Sequence, residues 1–209
     1  MEDVLQGEGG TTKQRVEWAD MAKGLVIILM IYGHSVEVAS KQWMLIYSFH
    51  MPFFILISGF FFKDMDWRRF LKRNIRGMLL PYACTIAIEY VLRIVLLGAD
   101  WKESLAKMFF TTLTGLSMKG EVSFVLAEGV GLLWFVPMLF CVKLLFLLAS
   151  KCGKGNEFVR MSVVILLVML GLCLQRNHCY LPWSLDIALY GTGFYYVGFL
   201  LRKYNLCQM

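Results

Sequence analysis

The sequence predicts an all-α, polytopic transmembrane helix bundle of about six spans with both termini in the cytoplasm, and three observations predict it. Of 209 residues, 58% are hydrophobic and only 17% charged, with a mean hydropathy of +0.62. A water-soluble domain of this size needs roughly a quarter of its residues charged to cover its surface, and disordered, collagenous or disulfide-stapled chains need compositions that are absent here. Six stretches approach the length of about 20 apolar residues that a helix needs to cross the hydrocarbon. The basic residues are distributed unevenly between the loops that these stretches define.

Taken in order, the first 18 residues are polar, with Gly7, Gly9, Gly10, Thr11 and Thr12, and read as a cytoplasmic tail. The spans run from about Met21 to Val38, Trp43 to Phe62, Ile75 to Leu97, Gly131 to Ser150, Val159 to Gln175 and Ser184 to Leu201. Residues 19–203 thus form the membrane domain and 204–209 a short cytoplasmic end. The apolar run Leu25–Tyr32, followed by Val38-Ala39-Ser40, has the outline of a signal peptide. The acidic residues Glu2, Asp3, Glu8, Glu17 and Asp20 ahead of it argue for a retained span instead.

Orientation follows from retention of Lys and Arg on the cytoplasmic side. With the N-terminus inside, fifteen of the 21 basic residues are cytoplasmic: Lys13, Arg15, Lys23, Lys63, Arg68, Arg69, Lys72, Arg73, Arg76, Lys143, Lys151, Lys154, Arg160, Arg202 and Lys203. Lys41, Arg93, Lys102, Lys107, Lys119 and Arg176 fall on the other side. In that topology Cys84, Cys141 and Cys173 lie in spans, Cys152 and Cys207 face the cytoplasm and Cys179 faces out, so all six are expected to be reduced. No C-x-x-C spacing suggests a metal site. Between the third and fourth spans, Leu105, Met108, Phe109, Leu113 and Leu116 recur near helical spacing beside Lys102, Glu103 and Lys107, the pattern of an outer-leaflet or re-entrant amphipathic helix. No two glycines stand four apart, so the close-packed glycine dimer motif is absent.

Ionisable groups in hydrocarbon are functional candidates by default, because each is costly unless paired. In span one, Asp20, Lys23 and His34 fall within about 60° of each other and form one polar stripe facing protein or water. Eleven residues, about 16 Å, separate Lys23 from His34, so the two mark different depths that one long substrate can visit. The structural alternative is a snorkelling lysine and a histidine bonded to a backbone carbonyl. Arg69, Arg73 and Arg76 share a helical face within the basic run 68–76, with forks suited to phosphate oxygens; the same run is what the positive-inside rule places between two spans. His50, at the outer start of span two, reads equally well as structural or functional, and Ser58-Gly59 interrupts the apolar run further in. Glu89 and Arg93, four apart, most simply neutralise one another.

Several segments together resemble the acyltransferase-3 family of integral-membrane acyltransferases, which includes sugar O-acetylases of bacterial cell surfaces. They are Asp20-Met-Ala-Lys23-Gly24 with Gly33-His34, in which ten residues separate the basic residue from the histidine; Phe49-His50-Met51-Pro52-Phe53-Phe54 with Ser58-Gly59-Phe60; Arg73-Asn-Ile-Arg76 ahead of Leu79-Leu80-Pro81-Tyr82; and, more weakly, Leu133-Trp134-Phe135-Val136-Pro137 and Trp183-Ser184-Leu185-Asp186 with Phe194 and Gly198. Family members usually have roughly ten spans, against room for about six here, which implies that the chain is short of the C-terminal helices or is a truncated form.

The resemblance implies an O-acyltransferase that takes an acyl group, typically acetyl, from cytoplasmic acyl-coenzyme A to a hydroxyl of a cell-surface carbohydrate. It needs no metal and no nucleic acid, and its setting is membrane lipid, with a homo-oligomer or a partner supplying further helices. Arg73 and Arg76, with Arg69 or Lys72 nearby, are implied to hold the donor's phosphates, Lys23 to stand beside the thioester arm, and His34 to act as general base or as acyl-accepting nucleophile. His50, Ser58 and Asp20 are the remaining candidates for substrate contact. The rivals are a non-catalytic membrane sensor, anchor or subunit, like the membrane half of vancomycin-resistance serine racemases, and a proton-coupled transporter.

Overall fold

The computed structural model describes residues 17–38, 40–98, 100–115, 120–122, 125–127 and 131–206. The tail expected over residues 1–18 therefore lies almost wholly outside the described residues, as do Leu116 and Cys207. The chain divides into two compact units, 1–50 and 51–209.

The first unit holds α1 (Glu17–Ser35) and the first half of α2 (Lys41–Phe60). Ala19, Val26 and Gly33, seven residues apart, are the buried residues of α1 and form one seam. At Gly33 that seam meets α2: a Cβ there would stand 2.9 Å from Ile46 Cγ2, so glycine is what allows this approach. The polar stripe borders the seam, with Asp20 and His34 exposed and Lys23 half-exposed.

The second unit continues α2 and then turns through residues 61–66 into α3 (Trp67–Asn74), whose first turn is capped by Asp66 accepting from Arg69 N–H at 3.2 Å. Residues Ile75–Leu79 form a π turn before α4 (Leu80–Leu97). Its cause is Pro81, which has no N–H and whose ring would strike the carbonyl four residues back in a regular helix. Widening the turn moves that carbonyl aside, and the Leu80 N–H bonds Ile75 O, five residues back. The π turn leaves one continuous apolar helical run, Trp67–Leu96, longer than the span expected to begin at Ile75.

Helix α5 (Trp101–Thr114), capped by Asp100 on the N–H groups of Lys102 and Glu103, folds back along α4. Tyr90 and Thr111 hydroxyls lie 3.2 Å apart, and Tyr82 Oη donates to Thr112 O at 3.3 Å. Its buried residues are Ser104, Thr111 and Thr114, while Leu105, Phe109 and Leu113 are exposed. Polar side in and apolar side out is the inverse of a helix in water, as the lipid setting expected for this segment requires. A short antiparallel hairpin, β1 (Gly120–Val122) and β2 (Val125–Ala127), is an addition to the otherwise all-α fold.

A single 3-10 turn (Gly131–Trp134) leads into α6 (Phe135–Gly153), the core helix, on which Met138, Val142, Phe146, Leu147 and Ala149 are wholly buried. It packs against the hairpin of α7 (Glu157–Arg176) and α8 (Leu185–Lys203). Close backbone approach comes from glycines on different helices: a Cβ on Gly171 would meet Tyr190 N at 2.7 Å, one on Gly59 would meet Tyr195 O at 2.0 Å, and one on Gly198 would meet Leu56 O at 1.9 Å. Small residues thus do the close packing without the four-residue spacing.

Four helical runs are long and apolar enough to span a membrane: Lys41–Phe60, Trp67–Leu96, Phe135–Gly153 and Glu157–Arg176. By length and composition that is four, where six were expected. α1 and α8 are helices of 19 residues each, but Glu17, Asp20, Lys23 and His34 in the one and Asp186, Arg202 and Lys203 in the other make them too polar to count on composition. Each unit exposes apolar helix faces, Leu25 and Ile28 in the first and Val95, Leu96, Leu166 and Met169 in the second, surface that belongs against lipid.

The entry to α8 is a strained corner. Trp183 (φ 57°) and Ser184 (φ 49°) both take the left-handed conformation that non-glycine residues avoid. Buried Asp186 holds the corner, accepting from the Leu181 N–H at 3.1 Å and from Gln175, while the Trp183 indole donates to Thr112 O at 3.2 Å. Replacing Asp186 by Ala leaves that N–H and amide unsatisfied, and is expected to cost about 2 kcal/mol, read as a lower melting temperature in detergent.

Candidate functional site

In the first unit, Trp43, Tyr47 and His50 stand at helical spacing on one face of α2. Trp43 stacks on Tyr47 with ring centroids 4.4 Å apart, and the His50 ring meets Tyr47 edge-on at 4.8 Å. The Tyr47 hydroxyl reaches α1 and lies 2.7 Å from His34 Nδ1 and 3.3 Å from its Nε2. His34 is therefore held by a phenol and not by a backbone carbonyl. The spacing of Trp43, Tyr47 and His50 was visible in the sequence, but nothing in one helix pattern says that Tyr47 meets a residue thirteen positions earlier.

His50 is buried and lies midway along α2, which begins at Lys41, so its expected place at the outer start of the span is corrected. Its Nδ1–H donates to Ile46 O at 2.8 Å, and its buried Nε2 has no partner among the described residues. Lys23 forms an ion pair with Asp20 at 3.4 Å. These two share one end of α1, about 16 Å from His34 along the helix.

In the second unit, Arg69, Arg73 and Arg76 are exposed, on α3 and the π turn. Among the described residues none of the three is paired with a carboxylate. Asn74, between them, is buried and donates to Phe70 O at 2.9 Å, so α3 is anchored by its inner face and leaves its guanidinium groups outward. The Ser58 and Tyr195 hydroxyls are close enough to interact, and Tyr195 also lies within electrostatic reach of Arg73. Gly59, next to Ser58, admits the backbone of α8 at Tyr195.

Several other charged residues of this unit have partners. Lys151 meets Asp64 at 2.8 Å; Glu157 accepts from Arg160 at 2.8 Å, from Tyr196 at 2.9 Å and from Lys203; Arg202 donates to Phe60 O at 3.3 Å. These contacts bring the 61–66 loop, the α6–α7 turn and the C-terminal end of α8 to one side, where most of the basic residues collect. Away from it, Glu89 and Arg93 neutralise one another at 2.7 Å. Lys143 was expected among the cytoplasmic loop charges and is not there: it is the ninth of the 19 residues of α6, in mid-span. The described cysteines Cys84, Cys141, Cys152, Cys173 and Cys179 are free, and no cluster that could hold a metal occurs among the described residues.

A helix bundle with a lipid-facing surface, a phenol-bound histidine in one unit and an unpaired basic face in the other defines a multi-pass membrane protein with the groups for acid–base and anion chemistry. The family model for an acyltransferase domain, that of the acyltransferase-3 integral-membrane enzymes, matches residues 16–206. The chain belongs to that family. No curated protein and no solved structure matches it.

Proposed function

We propose that this protein is a membrane O-acyltransferase that moves an acyl group, typically acetyl, from cytoplasmic acyl-coenzyme A to a hydroxyl of a cell-surface carbohydrate. The observation that carries the reading is the outward guanidinium set of Arg69, Arg73 and Arg76, unpaired among the described residues in a chain of an acyltransferase family. Forked donors on one helical run suit the phosphates of coenzyme A better than any neutral ligand. The positive-inside rule assigns the basic end of the second unit to the cytoplasm, where that donor is found, and α1 and α8 complete six spans with both termini inside.

His34 is the general base. With Nδ1–H donating to the nearer Tyr47 oxygen, Nε2 keeps its lone pair and is the nitrogen that takes the proton of the acceptor hydroxyl. The hydroxyl oxygen then attacks the thioester carbonyl, the carbon–sulfur bond breaks, and the thiolate leaves with the proton that His34 returns. Lys23, paired with Asp20, supplies positive charge along the path of the thioester arm. Asp20 is a contact through Lys23, and His50, whose buried Nε2 has no partner, is the remaining polar group for the acceptor.

The test is binding of acetyl-coenzyme A by the full chain in nanodiscs. The expected result is binding that survives His34→Ala and is lost in the Arg73→Ala/Arg76→Ala double variant. In turnover, Arg76→Ala alone is expected to raise the donor KM about tenfold with kcat little changed. A normal donor KM with a lowered kcat would count against a phosphate contact, and absence of any binding would favour a non-catalytic membrane module.

A further inference from the structure

Lys143 is the charge that the fold leaves unexplained. It lies in the middle of α6, ten residues and about 15 Å from the C-terminal end of that helix, whereas an extended lysine side chain reaches about 6 Å. It therefore cannot carry its ammonium out to the basic end of the unit. Its Nζ donates to Met78 Sδ on the π turn at 3.3 Å, and a thioether is a poor acceptor for a cation in mid-span. The nearby charge is Arg73, of the same sign and close enough to interact with it. Lys151, Lys203 and Arg160 each have a carboxylate; Lys143 and Arg73 have none among the described residues.

We infer that Lys143 and Arg73 form, where α6 packs on the π turn, a site for a phosphate group drawn into the bundle. Two cations within electrostatic reach of one another repel unless an anion lies between them, and a doubly charged phosphate oxygen cluster matches one fork and one point charge. The π turn is what makes the meeting possible. Met78, on the π turn that follows Arg73, is the residue that Lys143 of α6 meets. The occupant is a phosphate ester, either that of a water-borne nucleotide or that of a phospholipid headgroup. The first choice rests on the acyl-donor reading given above; the second does not.

The experiment uses the full chain in two kinds of nanodisc. In phosphatidylcholine discs, 3′,5′-adenosine bisphosphate and inorganic pyrophosphate are titrated onto the wild type, Lys143→Met, Arg73→Gln and Lys151→Met. In discs with added phosphatidylglycerol, retained anionic lipid is counted by native mass spectrometry. Methionine matches lysine in length and suits the bilayer centre, so Lys143→Met should insert and fold, which its elution profile checks. The expected result is a loss of affinity of about tenfold or more in Lys143→Met and Arg73→Gln, with Lys151→Met unchanged. Retention of anionic lipid by the wild type that both variants lose, with no nucleotide bound, would keep the site and end the acyl-donor reading. Nucleotide binding lost in Arg73→Gln but untouched in Lys143→Met would overturn the site and leave that reading standing. Binding of neither probe by the wild type overturns the site as well.

Discussion

His34→Ala is expected to lower acyl transfer by about 10²- to 10⁴-fold, the range that one positioned general base contributes, while insertion and donor binding stay normal. The reason is geometric. His34 is the exposed imidazole of α1, held at 2.7 Å by a tyrosine that is stacked on Trp43, so its ring is oriented before any substrate arrives. Tyr47→Phe, which removes the phenolic oxygen and keeps the stack, should reduce kcat by a smaller factor and leave the donor KM alone. Turnover of an acyl-coenzyme A by the purified variants in nanodiscs checks both, and undiminished transfer by His34→Ala would sink the catalytic role.

The largest effect on stability is expected from Gly198→Val. A Cβ at Gly198 would stand 1.9 Å from the carbonyl oxygen of Leu56, and one at Gly59 would stand 2.0 Å from that of Tyr195. In both cases the obstacle is backbone, which no rotamer change can move aside. α8 must therefore separate from the second half of α2, opening the core around Tyr195 and Phe146. The expected cost is about 3 kcal/mol or more, the upper part of the range for overpacked sites, and it should appear as loss of a monodisperse peak in detergent and a collapse of the melting temperature. Gly24→Val, where a Cβ would meet nothing within 4 Å, is the matched substitution and should leave the melting temperature nearly unchanged.

The membrane class was legible in composition because lipid demands apolar length, and length is a property of sequence alone. The same holds for the basic run at 68–76, the Glu89–Arg93 pair, the helical spacing of the 101–114 segment, and the motifs that carry the resemblance to the acyltransferase-3 family. α1 and α8 fall short of spans on hydropathy although both are helices, because hydropathy scores a charge alike whether or not it has a partner, as Lys203 has in Glu157 and Lys23 in Asp20.

What only the tertiary structure decided is which distant residues meet. A single helix pattern gives the face of a residue and not what stands opposite it, so the bond between Tyr47 and His34, the burial of His50 and the mid-span seat of Lys143 against Met78 were beyond it. The π turn belongs to the same class. Pro81 announces a disturbance, but whether the helix breaks, kinks or widens depends on the neighbour it packs against, and here α6 is that neighbour. Sequence by itself determined the solvent, the helices and the kind of chemistry the side chains can offer. Packing determined which of them face one another, because contact is a property of pairs and the pairs here are separated by up to 142 positions along the chain.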